Sequence, residues 1–243
     1  MSLNPNSARF WFDASERVTS EYDNLSVPET RFVEFELMKA VPLLEGQDPA
    51  GPTDEIEEHA NKLGWPVFIR TDLTSAKKDG IKSVRATSNN DILRCVASAT
   101  RSSVLAQLRP SHLLVREWID IESEFTAFEG LPVGVEFRIF ASPSETRCVH
   151  YYWPEESLRD VDCDLSEAKQ LRNELENTEI PSFLNSAAQE AALYANRNTE
   201  IPSDTAWSVD VVRDTNGNWW LLDMALASDS WHPEQCRSSE TRS

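Results

Sequence analysis

The stretch Trp207-Ser-Val-Asp210-Val-Val-Arg-Asp-Thr-Asn216-Gly217-Asn-Trp219-Trp-Leu-Leu-Asp223 reads as a β-hairpin. Asn-Gly is the strongest short turn signal, because both central residues of a two-residue hairpin turn need positive φ. The flanks, Val209 to Val212 and Trp219 to Leu222, have the β-branched, aromatic and aliphatic character of strands. Each arm carries one carboxylate, Asp210 or Asp223, in an otherwise apolar run. A carboxylate there is costly unless hydrogen bonds or a cation compensate it. Two of them close together predict a cation, and oxygen-only donors favour magnesium over zinc.

Outward from the hairpin, strands and helices mix without internal repeat. Residues 1 to about 25 read as polar and irregular, anchored by Trp11 and Phe12. Thr30 to Leu37 alternates as a strand, with Val33, Phe35 and Leu37 on one side. Gln47 to Thr53 is turn-rich; Asp54 and Glu57 then form a potential capping box before a helix that Gly64 stops. Pro66 to Arg70 is a short strand, and Thr71 to Lys82 a polar loop holding Lys77, Lys78 and Lys82. Ser83 to Ala86 resumes as a strand, and a helix starts at Asn90 or Asp91. Further strands are expected at Leu113–Ile119, Val133–Ala141 and Arg147–Trp153, and helices at Leu165–Glu176 and Pro181–Ala195. This order indicates α+β architecture, with helices packed on antiparallel sheets.

Composition narrows the function classes. A chain of 243 residues with 40% hydrophobic residues and eight tryptophans can bury a sizeable core. A formal net charge of −18 disfavours nucleic acid as a partner, since phosphate binding draws on excess Lys and Arg. Arginine outnumbers lysine 17 to 6, which suits either a salt-adapted cytosol or an ordinary acidic protein from a GC-rich genome. The N-terminus lacks the charged and apolar regions of a signal peptide, and no apolar run is long enough to span a bilayer. Four scattered cysteines read as reduced thiols, so a cytoplasmic location is expected.

Three further segments carry candidate chemistry. The loop after Arg70 can cradle phosphate through its lysines, although a solvated basic loop has the same composition, and the P-loop spacing is absent. On a strand, Glu136, Arg138 and Phe140 face opposite to Val135, Phe137 and Ile139, which suggests either a lined cleft or a structural Glu–Arg network. Cys148-x-His150 and His232-x-x-x-Cys236 each offer two zinc-type ligands, but neither is followed by a second pair at usable spacing, which argues against zinc.

Taken together, these pieces resemble the ATP-grasp superfamily, in which two α+β lobes close on Mg-ATP. Lys-Leu-Gly-Trp-Pro-Val-Phe-Ile-Arg (62–70) is similar to its helix-to-strand entry, and Thr71 to Lys82 to its phosphate lid. Leu114-Val-Arg116-Glu117-Trp118-Ile119 is similar to the strand that links the lobes, and Glu136-Phe-Arg138 and the hairpin complete the pattern. The similarity extends to the eukaryotic cell-division-cycle proteins that assist assembly of a translation initiation factor, and to small phage and bacterial ATP-grasp proteins. It covers roughly residues 62 to 232.

The resemblance implies a segment 1–61 packed on the core, a smaller nucleotide-binding lobe at 62–118, a larger lobe at 119–232 and a polar tail at 233–243. It implies ATP and magnesium, with Arg70, Lys78 and Arg138 on phosphate and Arg138 the catalytic group. Glu117 and Trp118 would meet adenine, and Asp210 and Asp223 the metal. The implied activity is an ATP-dependent carboxylate–amine or carboxylate–thiol ligase working through an acyl phosphate. The alternative is a nucleotide-dependent assembly chaperone for a protein client. Three departures stand out: Arg70 replaces the commoner lysine, Ser123 to Val133 is an apparent inserted loop, and Ala225 occupies a position where many members carry a metal-binding Asn, leaving Asp229 as a substitute.

Overall fold

The computed structural model describes residues 4–45, 52–197, 201–233 and 236. In chain order its elements begin with α1 (Ala8–Thr19), β1 (Leu25–Ser26), β2 (Thr30–Glu34), α2 (Leu37–Ala40), α3 (Thr53–Leu63) and β3 (Val67–Thr71). Next come β4 (Arg85–Ala86), α4 (Ile92–Leu105), β5 (His112–Glu117), β6 (Ser123–Ala127), β7 (Leu131–Gly134) and β8 (Glu136–Ser142). The chain closes with β9 (Glu145–Tyr151), α5 (Leu165–Glu176), α6 (Phe183–Ala195), β10 (Trp207–Arg213) and β11 (Trp219–Leu226). The α+β expectation holds. Among the described residues no helix is long and apolar enough to cross a membrane.

Two sheets carry the fold. The larger has the order β1-β11-β10-β8-β9, the smaller β2-β5-β3-β4, and β6-β7 form a separate ribbon. Every pairing is antiparallel except that of β1 with β11. In the larger sheet Val209, Val211, Phe137, Ile139 and Leu221 enter one core together with the alanine-rich face of α6. In the smaller, Val67, Ile69, Leu113 and Val115 pack with Ile56 of α3 and Val96 of α4. Leu114 points the other way and joins the first core, so β5 is buried on both faces.

The chain crosses between the sheets at Val27–Glu29 and again after Glu117. The two crossings touch: Glu117 N donates to Glu29 O at 2.9 Å, and Glu29 N to Glu117 Oε2 at 3.0 Å.

Several local expectations need correction. The N-terminal stretch is the helix α1, whose Ala8, Trp11, Phe12, Ser15 and Val18 recur at helical spacing and are buried. Ser7 caps it, accepting from Arg9 N at 3.2 Å. Trp11 and Phe12 are anchors as expected, each contributing roughly 2 kcal/mol of burial. The strand at Thr30 stops at Glu34, because Leu37 opens α2.

The capping box does not form. Its helix begins two residues earlier, at Thr53 with Pro52 at the cap, leaving Asp54 and Glu55 in the first turn where they suit the helix dipole. Most of the turn region before it lies outside the described residues. Val133–Ala141 is two strands rather than one, broken where Gly134 passes the Glu122 carbonyl; a Cβ there would sit 1.9 Å from that oxygen. The stretch from Ser123 to Val133 is not a loose loop but the β6-β7 hairpin.

The Asn-Gly turn also differs in detail. Gly217 has φ of 84°, but Asn216 does not share the positive sign. Gly217 N donates to Asp214 O and Asp214 N to Asn218 O, which is a turn with a glycine bulge. The buried Asp214 carboxylate accepts from the amides of Asn216 and Asn218 (both 2.8 Å), from Asn218 Nδ2 (3.2 Å) and from Trp220 Nε1 (3.0 Å). Burial opposes its charge, but these donors outweigh burial and hold its pKa below the usual carboxylate value.

Candidate active-site cleft

A cavity of about 470 Å³ opens between the two sheets. Its lining joins apolar residues (Phe68, Trp118, Ile119, Leu131, Leu222) to charged ones (Arg70, Lys77, Lys78, Glu136, Asp210, Asp223). Residues opposite one another in a sheet share a face. By register, Asp223 of β11 stands opposite Asp210 of β10, Asp210 opposite Arg138 of β8, and Arg138 opposite His150 of β9. One polar row thus crosses four strands, while the alternate residues Val209, Val211, Phe137 and Ile139 face the core.

A β-bulge makes this row possible. Val211 pairs with Leu221 and Asp210 with Asp223, so Leu222 is the extra residue. Without it Asp223 would follow Leu221 by an even step and point with it into the core. The bulged residue's carbonyl is free to accept from Arg116 Nη1 at 2.6 Å, which ties the smaller sheet to the larger.

The smaller sheet contributes cations. Arg70 ends β3 and donates from Nη1 to Asp223 Oδ2 at 2.6 Å and from Nε to Thr71 O at 3.0 Å. Burial opposes its charge, yet Asp223 more than offsets that and its pKa lies above the ordinary arginine value. Lys77 Nζ lies 3.4 Å from Glu136 Oε1 and 3.9 Å from the centre of the Tyr152 ring. Again the carboxylate outweighs burial, and the lysine is raised. Burial raises the Glu136 carboxyl, with Lys77 acting against it. Arg138 grips Asp210 with both arms of its fork, at 2.7 and 2.8 Å.

Arg116, in the middle of this set, is the exception. Burial and the neighbouring Arg70 pull it down to about 10, and its Nη2, buried beside the cavity, has no hydrogen-bond partner. A buried donor without an acceptor is costly.

Of the residues singled out in the sequence, Arg70, Lys78, Glu117, Trp118, Asp210 and Asp223 all line the cavity. Arg138 lies behind Asp210 rather than in the lining. Trp118 packs against Phe68, ring centres 6.4 Å apart, and under Arg85. The Glu117 amide is already engaged by Glu29, so it cannot also meet a ligand. Lys78 is exposed; partial desolvation, then the charges of Lys77, Arg159 and Arg138, lower its pKa.

The lid segment is braced: Ser83 Oγ lies 2.6 Å from both Ala76 O and Gly80 O, and Arg159 Nη2 donates to Lys78 O. Asp229, expected as a substitute donor for the metal, accepts from Asn6 Nδ2 at 2.6 Å and is not in the cavity lining.

Sequence reasoning did not single Lys77 out from the other lysines of its loop, and gave Arg116 and Glu136 no individual role. Lys77 and Lys78 are adjacent on a turn, and spacing does not tell which one faces inward. Arg116 follows the apolar run Leu113–Val115 and precedes Glu117, so alternation gives it no signal of its own. It also missed that the chain folds Cys148-x-His150 and His232-x-x-x-Cys236 together: their ligand atoms all lie within 4.8 Å of one another.

No family model matches the sequence, and no curated protein matches it. Solved structures do. D-cycloserine synthetase DcsG aligns at 14% identity with a TM-score of 0.51, covering 91% of this chain and 62% of that enzyme. The ATP-grasp ligase PsnB, complexed with a minimal precursor, aligns at 12% identity and a TM-score of 0.46, covering 98% and 58%. D-alanyl-alanine synthetase A from Vibrio cholerae gives 10% identity, a TM-score of 0.45, and 90% and 53% coverage. The chain therefore spans about three fifths of the length of the first of these. Two α+β halves flanking a cleft, shared in outline with D-cycloserine synthetase at 14% identity, give the chain the α+β ATP-grasp fold.

Proposed function

We propose that the cleft binds Mg-ATP and that the protein is a carboxylate–amine or carboxylate–thiol ligase, working through an acyl phosphate in the cytoplasm. The observation that carries this reading is the facing of charge across one cavity, with Arg70 and Lys77 meeting Asp223 and Glu136. The donor set fits magnesium, since Asp210 and Asp223 offer oxygen alone and stand directly opposite one another. Magnesium would neutralise phosphate charge there.

The chain's own residues do the rest. Arg70, Lys77 and Lys78 receive phosphate oxygens, and Arg116 adds positive charge at the cavity wall. Arg138 holds Asp210 in place and neutralises charge from behind it. Phe68 and Trp118 supply an apolar wall suited to a nucleobase, with hydrogen bonds from backbone beyond Glu117. Such catalysis is positioning and charge stabilisation, so no nucleophilic side chain is required. In this reading residues 62–118 and 119–232 are the two lobes, and 1–61 pack on the core through α1, β1 and β2.

A thermal-shift titration tests binding: stabilisation by ATP with magnesium supports the proposal, and none refutes it. ADP release across a panel of carboxylic acids with amines or thiols tests ligase activity. One observation favours a second reading, a nucleotide-dependent assembly factor for a protein client: the third metal position holds Ala225, and Asp229 is engaged elsewhere. ATP-induced stabilisation without ADP release on any acid would favour that role.

A further inference from the structure

A second cluster of chemistry lies on the same sheet face, at the far end of the polar row. Cys148 and His150 sit two apart on β9, which places both side chains on one face. By register His150 is opposite Arg138, and Cys148 is opposite Phe140. The segment after β11 then crosses this face. Ser230 Oγ lies 2.6 Å from Ser208 Oγ on β10, the His232 ring lies 4.6 Å from Phe140 on β8, and His232 Nε2 lies 3.0 Å from Cys148 Sγ on β9. Cys236, four residues on, brings its thiol into the same group.

We propose that Cys148, His150, His232 and Cys236 form a closed, four-coordinate site for zinc, clasping the segment after β11 onto the edge strand β9. Two thiolates and two imidazoles are a donor set that zinc takes tetrahedrally. Bond lengths of about 2.0–2.3 Å place tetrahedral ligand atoms roughly 3.3–3.8 Å apart. The four atoms here lie within 4.8 Å of one another, and the Cys148–His232 pair is at 3.0 Å, so the spacing brackets that value.

Two further observations point to a ligand. His150 Nε2 is buried and makes no hydrogen bond. His232 Nδ1 lies 3.3 Å from Pro233 O; with its proton donated there, Nε2 keeps the lone pair a metal needs. The tautomer is assigned from that hydrogen bond. On binding, each thiol gives up its proton as a zinc–sulfur bond forms. The two protons go to solvent and the site carries no net charge. The cluster contains neither Asp210 nor Asp223, so the inference does not depend on the nucleotide reading.

The test uses the full chain without a polyhistidine tag, under reducing conditions. The expected result is about one zinc per chain by mass spectrometry after loading and dialysis. Cobalt should give the intense visible bands of a tetrahedral thiolate site. Zinc should shield Cys148 and Cys236, but not Cys163, from alkylation. A Cys148→Ser, Cys236→Ser double variant should weaken metal binding more than about ten-fold, while Asp223→Ala retains zinc. If the double variant does not fold, alkylation of the unmodified chain decides alone. No retained zinc, equal alkylation of Cys148 and Cys236 with and without zinc, or a Cys148–Cys236 disulfide persisting in reductant would each overturn the proposal.

Discussion

The two walls of the cleft solve opposite problems. The smaller sheet and its lid present Arg70, Lys77 and Arg116, whereas the larger presents Asp210, Asp223 and Glu136. Neither wall is satisfied by its own partners. Arg70 bonds Asp223 and Lys77 bonds Glu136 across the gap, and only Asp210 finds its cation, Arg138, on its own sheet. The difference teaches that the cleft holds itself together with the groups proposed to hold the ligand. Mg-ATP, as proposed, would suit such a site, because Asp210 and Asp223 could turn to the metal while Arg70 and Lys77 turned to phosphate. Either half alone leaves one wall with unpaired buried charge.

The largest expected effect comes from removing one side of that exchange. Asp223→Ala should abolish stabilisation by Mg-ATP in a thermal-shift titration. It should also lower the stability of the free protein by about 3 kcal/mol in denaturant unfolding, because Arg70 is left as a buried unpaired charge. Unchanged Mg-ATP binding in that variant would break the comparison.

Next comes the turn that sets the anionic wall. Asp214→Ala removes the acceptor of four hydrogen bonds and should cost about 2 kcal/mol. The Asp214 pKa is depressed in the fold, so the stability it adds is present above its unfolded value. That stability is lost as pH falls from about 4 through the lower folded value. Asp214→Asn should flatten this acid limb in melting curves taken between roughly pH 5 and 2.

On the cationic wall, Lys77→Met should weaken ATP binding about ten-fold by calorimetry, the worth of one charge-assisted hydrogen bond. An equal loss in Lys78→Met, with none in Lys77→Met, would reverse the assignment of the inward lysine. The smallest effect is a gain: Ala225→Asn, on the same strand face as Asp223, should strengthen magnesium dependence by a factor of about three. No change would show that two carboxylates suffice.

Most of the strands and most of the cleft were legible in the sequence, because those follow from alternation and turn chemistry. Asp210, Asp223, Arg70 and the Glu136–Arg138 pair stand out as charges inside apolar strands. What was illegible depends on geometry that alternation does not encode. The bulge at Leu222 reverses the facing of Asp223, and a regular strand would have placed it wrongly. The Cys–His cluster joins residues more than eighty positions apart, through a segment with no periodic signal. By contrast α1 was legible: a Ser cap and apolar residues at helical spacing were present but outweighed by the polar neighbours.

The paired crossings between the sheets have a mechanical consequence. Val27–Glu29 and the segment after Glu117 run side by side, bonded through Glu29 and Glu117, and they are the covalent ties between the two halves among the described residues. Two adjacent ties act as one hinge. Of the relative motions of the halves, rotation about their common line is the one these ties oppose least. The lips of the cleft would then open along an arc, the cross-wall ion pairs parting together while the Glu29–Glu117 seam stays fixed.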